Sequence, residues 1–110
     1  MQPKFNLWIE KDGKVVLSAW RVQLLEAIEA AGSISAAAEQ MRLPYRRAWE
    51  KVQEMEKALG VKVVETAVGG KHGGGARLTP AGCRAVEQFH QFASGFETEV
   101  TRRYREAFDN

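Results

Sequence analysis

Residues 18–60 contain two glycines and one proline, and these divide the stretch into three helix-length segments. Gly32 and Gly60 suit the left-handed conformation in which many helices end. Pro44 suits the first turn of a helix, where its missing N–H costs nothing. The spacing of these residues therefore predicts three consecutive helices joined by short turns.

Serines can cap the first two of these helices. Ser18 precedes a segment with apolar residues at helical spacing, and Ser33 or Ser35 precedes a shorter segment that extends through Met41. The second helix contains three alanines at positions 36–38, whose small side chains let another helix approach closely.

The third predicted helix has two distinct faces at about 100° per residue. Its apolar residues fall in one sector, predicted to face the core: Ala48, Val52, Met55 and Leu59. The opposite sector is polar: Arg46, Glu50, Gln53 and Lys57. Tyr45, Arg47 and Trp49 lie on the flanks. This pattern is typical of a helix-turn-helix, whose last helix enters the major groove of DNA, although an ordinary three-helix core with a solvated face stays open.

Two β-hairpins are predicted on either side of the helices. Asp12-Gly13 lies between the β-rich runs 5–10 and 14–17, which is a strong hairpin signal. Residues 61–66 and 76–78 form the second pair of strands, with a glycine-rich stretch between them.

That glycine-rich stretch, GGKHGGGARLTPAG, is a hairpin tip by this interpretation. A phosphate-binding loop would need GxxxxGK[ST] between a strand and a helix, and the stretch lacks both the spacing and the hydroxyl. A hairpin after a helix-turn-helix is a wing. Lys71, His72 and Arg77 are then predicted to contact the DNA backbone or minor groove, while a flexible loop stays open as the alternative.

A long C-terminal helix is predicted over residues 80–108, with Thr79 as its cap, Pro80 at its first position and Gly95 as a point of weakness. Its apolar stripe would be about 42 Å long, whereas a domain of this size is only about 26 Å across. The excess is predicted to bury itself against a second copy in a homodimer. The predicted dimer surface consists of aromatic and aliphatic residues: Phe89, Phe92, Phe96, Val100, Tyr104 and Phe108.

Composition limits the remaining possibilities. The chain has 110 residues, of which 45% are hydrophobic and 27% charged, and this suits one domain. The predicted parts are an N-terminal hairpin, the helices, a wing and the C-terminal helix: residues 1–17, 18–60, 61–79 and 80–108. The net charge is only +2, but the basic residues gather in the third helix and around the glycine-rich stretch.

Features that the sequence lacks bear on cellular location, metal binding and catalysis. No signal peptide or membrane span is recognisable, so a cytoplasmic protein without a membrane partner is expected. His72 and His90 have no ligand spacing around them, and Cys83 is alone, so no metal site is predicted. Without a catalytic constellation, neither an enzyme nor a cofactor is expected.

Two segments, GSISAAAEQMRLPYRRAW and GGKHGGGARLTPAG, resemble the N-terminal winged-helix domain of the ModE family of molybdate-responsive transcription regulators, a relative of the LysR-type DNA-binding domain. The resemblance covers roughly residues 17–91. It implies that one set of residues lies in or next to the DNA-reading unit: Ser33, Tyr45, Arg46, Arg47 and Trp49. It also implies that Lys71, His72 and Arg77 belong to the wing.

The sequence departs from this family in two places. Pro44 stands where the family usually has a capping serine. The chain also ends at Asn110, whereas full-length regulators continue into molybdate-binding domains, so no molybdate site is expected here.

The predicted fold is therefore mainly α with small β-hairpins: a winged helix-turn-helix with a long C-terminal dimerisation helix. The predicted function is sequence-specific binding of double-stranded DNA by a dimeric transcription regulator. The alternatives are a winged-helix protein-interaction module and, more remotely, a nucleotide-binding enzyme. The candidate DNA-binding residues are Ser33, Ser35, Tyr45, Arg46, Arg47, Trp49, Glu50, Gln53, Lys71, His72 and Arg77.

Overall fold

The structure is a computed structural model that describes residues 1–67 and 74–108. Its elements follow in the order β1 (Trp8–Lys11), β2 (Lys14–Ser18), α1 (Ala19–Ala31), α2 (Ile34–Gln40), α3 (Tyr45–Leu59), β3 (Val64–Ala67), β4 (Gly75–Leu78), α4 (Pro80–Ala93) and α5 (Phe96–Phe108). The strands form two separate antiparallel pairs, β1–β2 and β3–β4. The predicted fold class, mainly helical with small hairpins and a winged helix-turn-helix, is confirmed. Within the described ranges, no helix has both the length and the apolar character needed to cross a membrane.

The N-terminal hairpin turns at Asp12 and Gly13, which both have positive φ angles, 52° and 78°. This conformation matches the twist of two paired strands. The first strand begins at Trp8 rather than at residue 5, which corrects the predicted range. Trp8 pairs with Ser18, the last residue of β2, and there the chain turns into α1, so that no partner strand remains for residues 5–7.

Helix ends follow the predicted signals closely. Ser33 is the cap of α2, since its Oγ accepts a hydrogen bond from the Ala36 N–H at 3.0 Å. Gly32 and Gly60 end α1 and α3 in the left-handed conformation. Pro44 was predicted in the first turn of α3 but occupies the cap position before it, where it supplies no side-chain hydrogen bond.

The core surrounds α1, which contacts α2, α3, α4, β2 and β4. Its largest fully buried side chains come from α1, α3 and the start of the wing: Val22, Leu24, Leu25, Ile28, Val52, Met55 and Val63. Ala48, Val52 and Met55 are buried as the angular pattern of α3 predicts, and Leu59 is half-buried. Packing of this face turns the opposite face of α3 towards solvent.

A buried arginine joins α1 to α3. Arg21 Nη2 lies 3.2 Å from Glu54 Oε2, and Lys51 Nζ lies 3.1 Å from the same oxygen. Partial burial raises the pKa of Glu54, but the hydrogen bonds and charges of Lys51 and Arg21 outweigh this effect and lower it overall. Among the described residues, Arg21 Nη1 has no hydrogen-bond partner.

The wing is attached at its base by side chains from the helices. The N–H groups of Val63 and Val64 donate to Glu56 Oε2 at 2.9 and 3.2 Å. β3 begins at Val64, the first residue paired with β4, and not at residue 61 as predicted; the Val63 amide just before it is bound by Glu56 of α3. Thr79, the predicted cap of α4, accepts from the Gly82 N–H and donates to the Lys62 carbonyl oxygen.

The C-terminal helical segment extends from Pro80 to Phe108, and it is interrupted at Ser94 and Gly95. Gly95 has a φ of +88°, and this residue is where a weakness was predicted. α5 buries none of its residues. Tyr104 Oη donates to the Met1 carbonyl oxygen at 3.2 Å, so the N-terminal segment runs along α5. The molecule measures 61 × 28 × 21 Å.

Candidate nucleic-acid interface

The turn between α2 and α3 fixes the angle at which α3 leaves the core. Arg42 adopts a φ of +57°, and the Leu43 N–H donates to the Ala38 carbonyl oxygen at 2.8 Å. Pro44 then has an extended conformation, with φ −60° and ψ 140°, and α3 begins at the next residue. The turn is short and hydrogen-bonded, so α2 and α3 form one helix-turn-helix unit.

The outer face of α3 presents its charged side chains to solvent. The Arg46 side chain is 89% exposed, and its Nε lies 3.2 Å from Glu50 Oε1 one turn later. Arg47 is exposed on the flank, and Gln53 is half-buried further along the helix. This face can reach into the major groove, where guanidinium groups read base edges or contact phosphates.

Beside this face is a groove between the start of α2, the start of α3 and the two wing strands. The groove has a volume of about 410 Å³. Its walls are small, hydroxylic, aromatic and backbone groups: Ser33, Ile34, Ser35, Tyr45, Trp49, Thr66, Ala67, Gly74, Gly75 and Ala76. None of these described residues carries a charged side chain.

Two aromatic residues lie at the wall of this groove that α3 forms. Trp49 is 45% exposed and Tyr45 is 54% exposed. Trp49 is therefore partly packed and partly accessible to a ligand in the groove. Ser33 points its hydroxyl at the backbone of α2 as a cap, whereas Ser35 is exposed at the first turn.

The wing is held against α1 by backbone and carboxylate groups. The Ala76 N–H donates to the Gly32 carbonyl oxygen at 2.8 Å, and the Leu78 N–H donates to Glu29 Oε2 at 2.6 Å. Arg77 Nε pairs with Glu65 Oε2 across the strands at 3.0 Å, so part of its charge is compensated within the wing. Lys71 and His72, the other predicted wing contacts, lie outside the described residues.

Sequence reasoning missed the wing residues that line the groove, including Thr66, Ala67 and Gly74. Their position on both sides of the glycine-rich stretch was the available signal. It also missed Glu29 and Glu56, whose carboxylates bind backbone amides of the wing. The sequence carried no signal for these contacts, because each glutamate binds an amide of a different element.

The predicted dimer residues divide into three groups in the structure. Phe92, Phe96 and Phe108 are exposed. Val100 and Tyr104 are half-buried beside the N-terminal segment. Phe89 is only 4% exposed and belongs to the core of its own chain, so it offers no surface to a second copy.

The profile of the family described as "Bacterial regulatory helix-turn-helix protein, lysR family" matches residues 20–83, more than half of the chain. The chain belongs to this family. The match begins in α1, covers the helix-turn-helix and the wing, and ends in the first turn of α4. The geometry of α2 and α3 and the family profile therefore identify the same helix-turn-helix unit in this lysR-family chain.

Curated relatives confirm the resemblance to the ModE family. The lysR-family chain is 48% identical over 79 residues to the molybdenum-pterin-binding protein MopB of Rhodobacter capsulatus, covering 72% of the chain and 29% of that relative. It is 36% identical over 93 residues to the DNA-binding transcriptional dual regulator ModE of Escherichia coli K12, covering 84% of the chain and 36% of the relative. The chain spans about a third of the length of the relatives it matches.

A solved structure shares the fold. The complex of the CbnR DNA-binding domain with DNA superposes with a TM-score of 0.58 at 24% identity, covering 80% of this chain and 94% of that one.

Proposed function

We propose that this lysR-family protein is a transcription regulator that binds double-stranded DNA sequence-specifically. The observation that carries the proposal is the exposed outer face of α3, where Arg46 and Arg47 stand beside a groove without described carboxylates. In this proposal α3 occupies the major groove, and the β3–β4 hairpin lies along the backbone or in the minor groove.

The two arginines have different roles in this proposal. Arg46 is opposite the buried face of α3 and its side chain is almost fully exposed, so it reaches the base edges. Arg47 lies on the flank, at the level where the sugar-phosphate backbone borders the groove, and it contacts phosphate.

The groove between α2, α3 and the wing receives the DNA backbone. Ser33, Ser35 and Thr66 supply hydroxyl groups, and the aromatic rings of Tyr45 and Trp49 supply apolar contact area. Gln53 lies further along α3 and borders the same DNA strand. Lys71, His72 and Arg77 remain proposed wing contacts, with Arg77 contributing less charge because of Glu65.

We further propose a homodimer formed by the C-terminal helices. Phe92 and Phe96 pack edge to face at a centroid separation of 5.7 Å across the interruption at Gly95, and both remain exposed. These two exposed rings form an aromatic row of a kind that soluble monomers rarely leave uncovered, and Phe108 is exposed further along α5. Two copies related by a two-fold axis would present two α3 helices to a two-fold DNA site.

The same proposal covers the remaining properties of the chain. Residues 1–110 act as one winged-helix domain whose role is binding and not catalysis, without a cofactor. A bacterial regulator of this kind acts on chromosomal DNA, so we place the protein in the cytoplasm without a membrane partner.

Selection of bound duplexes from a random-sequence pool, followed by affinity measurements at two salt concentrations, tests the proposal. We expect an enriched sequence and a strong decrease in affinity with salt. Arg46→Ala should cost about 1–3 kcal/mol and relax the preference at one base position. Arg47→Ala should weaken binding to all sequences alike and reduce the salt slope by about one.

Two outcomes would contradict the proposal. Failure of the unmodified protein to enrich any sequence would favour a protein-interaction module with a winged-helix fold. Equal losses from both arginine variants, without a change in base preference, would contradict the division of roles between them.

A further inference from the structure

The outer face of α3 carries an ion pair between Arg46 and Glu50. Arg46 Nε donates to Glu50 Oε1 at 3.2 Å, and the side chains are 89% and 52% exposed. Exposed pairs of this kind contribute little to folding because solvent screens them and side-chain freedom is lost. A carboxylate at this place also opposes the approach of DNA phosphates. The other physical consequence of the pair is its effect on the orientation of the Arg46 side chain.

The pair fixes the direction of the guanidinium fork. The Nε–Glu50 bond is the one hydrogen bond that the Arg46 side chain makes to the described residues. It occupies the edge of the guanidinium nearest the helix, and the two Nη groups remain available at the far end of the side chain. Two parallel N–H donors in this geometry match the O6 and N7 acceptors of guanine in the major groove.

We propose that Arg46 recognises a guanine at one position of the DNA site and that Glu50 is the positioning residue that holds its fork for this contact. The inference rests on the proposed DNA-binding function and adds the base that is read. Holding the fork in advance reduces the rotamer freedom that is lost on binding, and this reduction is largest for a long, exposed side chain such as that of Arg46.

The wing provides a matched control for this pair. Arg77 Nε and Glu65 Oε2 make a similar exposed contact at 3.0 Å, but on a β-strand outside α3. Removal of the Glu65 charge should change the affinity for all DNA sequences without changing the preference at the guanine position.

The test measures the affinity of four proteins for the selected duplex and for duplexes with each other base at the guanine position. The proteins are the unmodified chain, Glu50→Gln, Arg46→Lys and Glu65→Gln, and circular dichroism checks that each is folded. For Glu50→Gln we expect unchanged or tighter binding to unrelated DNA but at least a fivefold loss of guanine preference. Arg46→Lys keeps the charge and removes the fork, so it should lose the preference at the same position with an unchanged salt slope.

Three results would overturn the inference. An equal rise in affinity for all duplexes in Glu50→Gln would show that Glu50 acts only through its charge. Unchanged guanine preference in Glu50→Gln would show that Glu50 does not hold the fork for this contact. Full guanine preference in Arg46→Lys would show that no fork is needed. Failure of the unmodified protein to bind selectively would instead contradict the underlying DNA-binding function.

Discussion

Gly82 lies in the first turn of α4, directly against the backbone of Val63, the residue just before β3. A Cβ at this position would overlap the carbonyl oxygen of Val63, which accepts the Thr79 N–H. Backbone atoms cannot turn away as a flexible side chain can. Elsewhere in a helix, alanine is more favourable than glycine by about 0.5–1 kcal/mol. At position 82 we expect the opposite, so that alanine is less favourable than glycine.

We predict that Gly82→Ala lowers the free energy of unfolding by at least about 1–3 kcal/mol, because the substitution forces α4 away from the base of the wing. Denaturant unfolding measures the change. Cys83→Ala is the control, since Cys83 is exposed in the same turn and its replacement should change stability by less than about 0.5 kcal/mol. A more stable Gly82→Ala variant would contradict the close approach.

The burial and contacts of single residues could be predicted from the sequence to different degrees. The exposure of Arg46 and the burial of Met55 follow from the 3.6-residue period of α3 alone. Glu29 could not be assigned to the wing in this way, because its hydrogen bond to Leu78 joins residues 49 apart and depends on the packed fold. Trp49 is an intermediate case. Its place on a flank was predictable, but the groove beside it depends on where the wing docks.

At the scale of single elements, α5 is stabilised on its surface by a cluster of charges. Glu99 accepts hydrogen bonds from Arg102 and Arg103, and Arg102 also donates to Glu106. The hydrogen bonds from Arg102 and Arg103 lower the pKa of Glu99 from 4.5 to about 2. A carboxyl whose pKa is lower in the folded chain stabilises the fold above its ordinary pKa. That contribution is lost as the pH falls through the folded value.

We therefore predict that α5 loses helicity between pH 4.5 and about 2 as Glu99 is protonated. Side-chain carboxyl chemical shifts in an NMR titration follow Glu99 directly. Arg102→Gln should move the Glu99 pKa upward, whereas Arg105→Gln should not, because Arg105 makes no hydrogen bond to Glu99. Titration of Glu99 at its ordinary pKa in the unmodified chain would contradict the role of the cluster.

Element boundaries were predictable where they depend on local signals. Ser18, Gly32 and Gly60 set helix ends through their own backbone and side-chain chemistry. The start of β3 was not predictable, because Glu56 binds the amides of Val63 and Val64 from a helix that packs beside them. The break at Gly95 was visible as a weakness, but its φ of +88° did not follow from the residue type alone.

At the scale of the whole molecule, the proposed dimer predicts a specific loss of assembly. Phe92→Asp combined with Phe96→Asp should give folded monomers, because each buried aromatic side chain contributes on the order of 1.5–3 kcal/mol and a buried carboxylate opposes association. Sedimentation measures the change. DNA affinity should also fall steeply, since a monomer carries a single α3 and cannot engage two half-sites at once.

Gln91→Asp combined with Thr98→Asp is the matched control, since it adds the same charge at exposed polar positions of the same two helices. This variant should remain dimeric. Sedimentation of the unmodified protein as a monomer at micromolar concentration would contradict the dimer, and the aromatic row would then require another partner.

The attachment of the wing to α1 has a consequence for the order in which the molecule is assembled. α1, α2 and α3 are adjacent in the chain and can pack through contacts between neighbouring helices, whereas Ala76 must find Gly32 and Leu78 must find Glu29 across a long intervening segment. Closing such a loop has an entropic cost before any contact offsets it. During synthesis, α3 therefore emerges before the wing can dock. A newly made chain therefore acquires the surface proposed to read DNA before the hairpin proposed to clamp it.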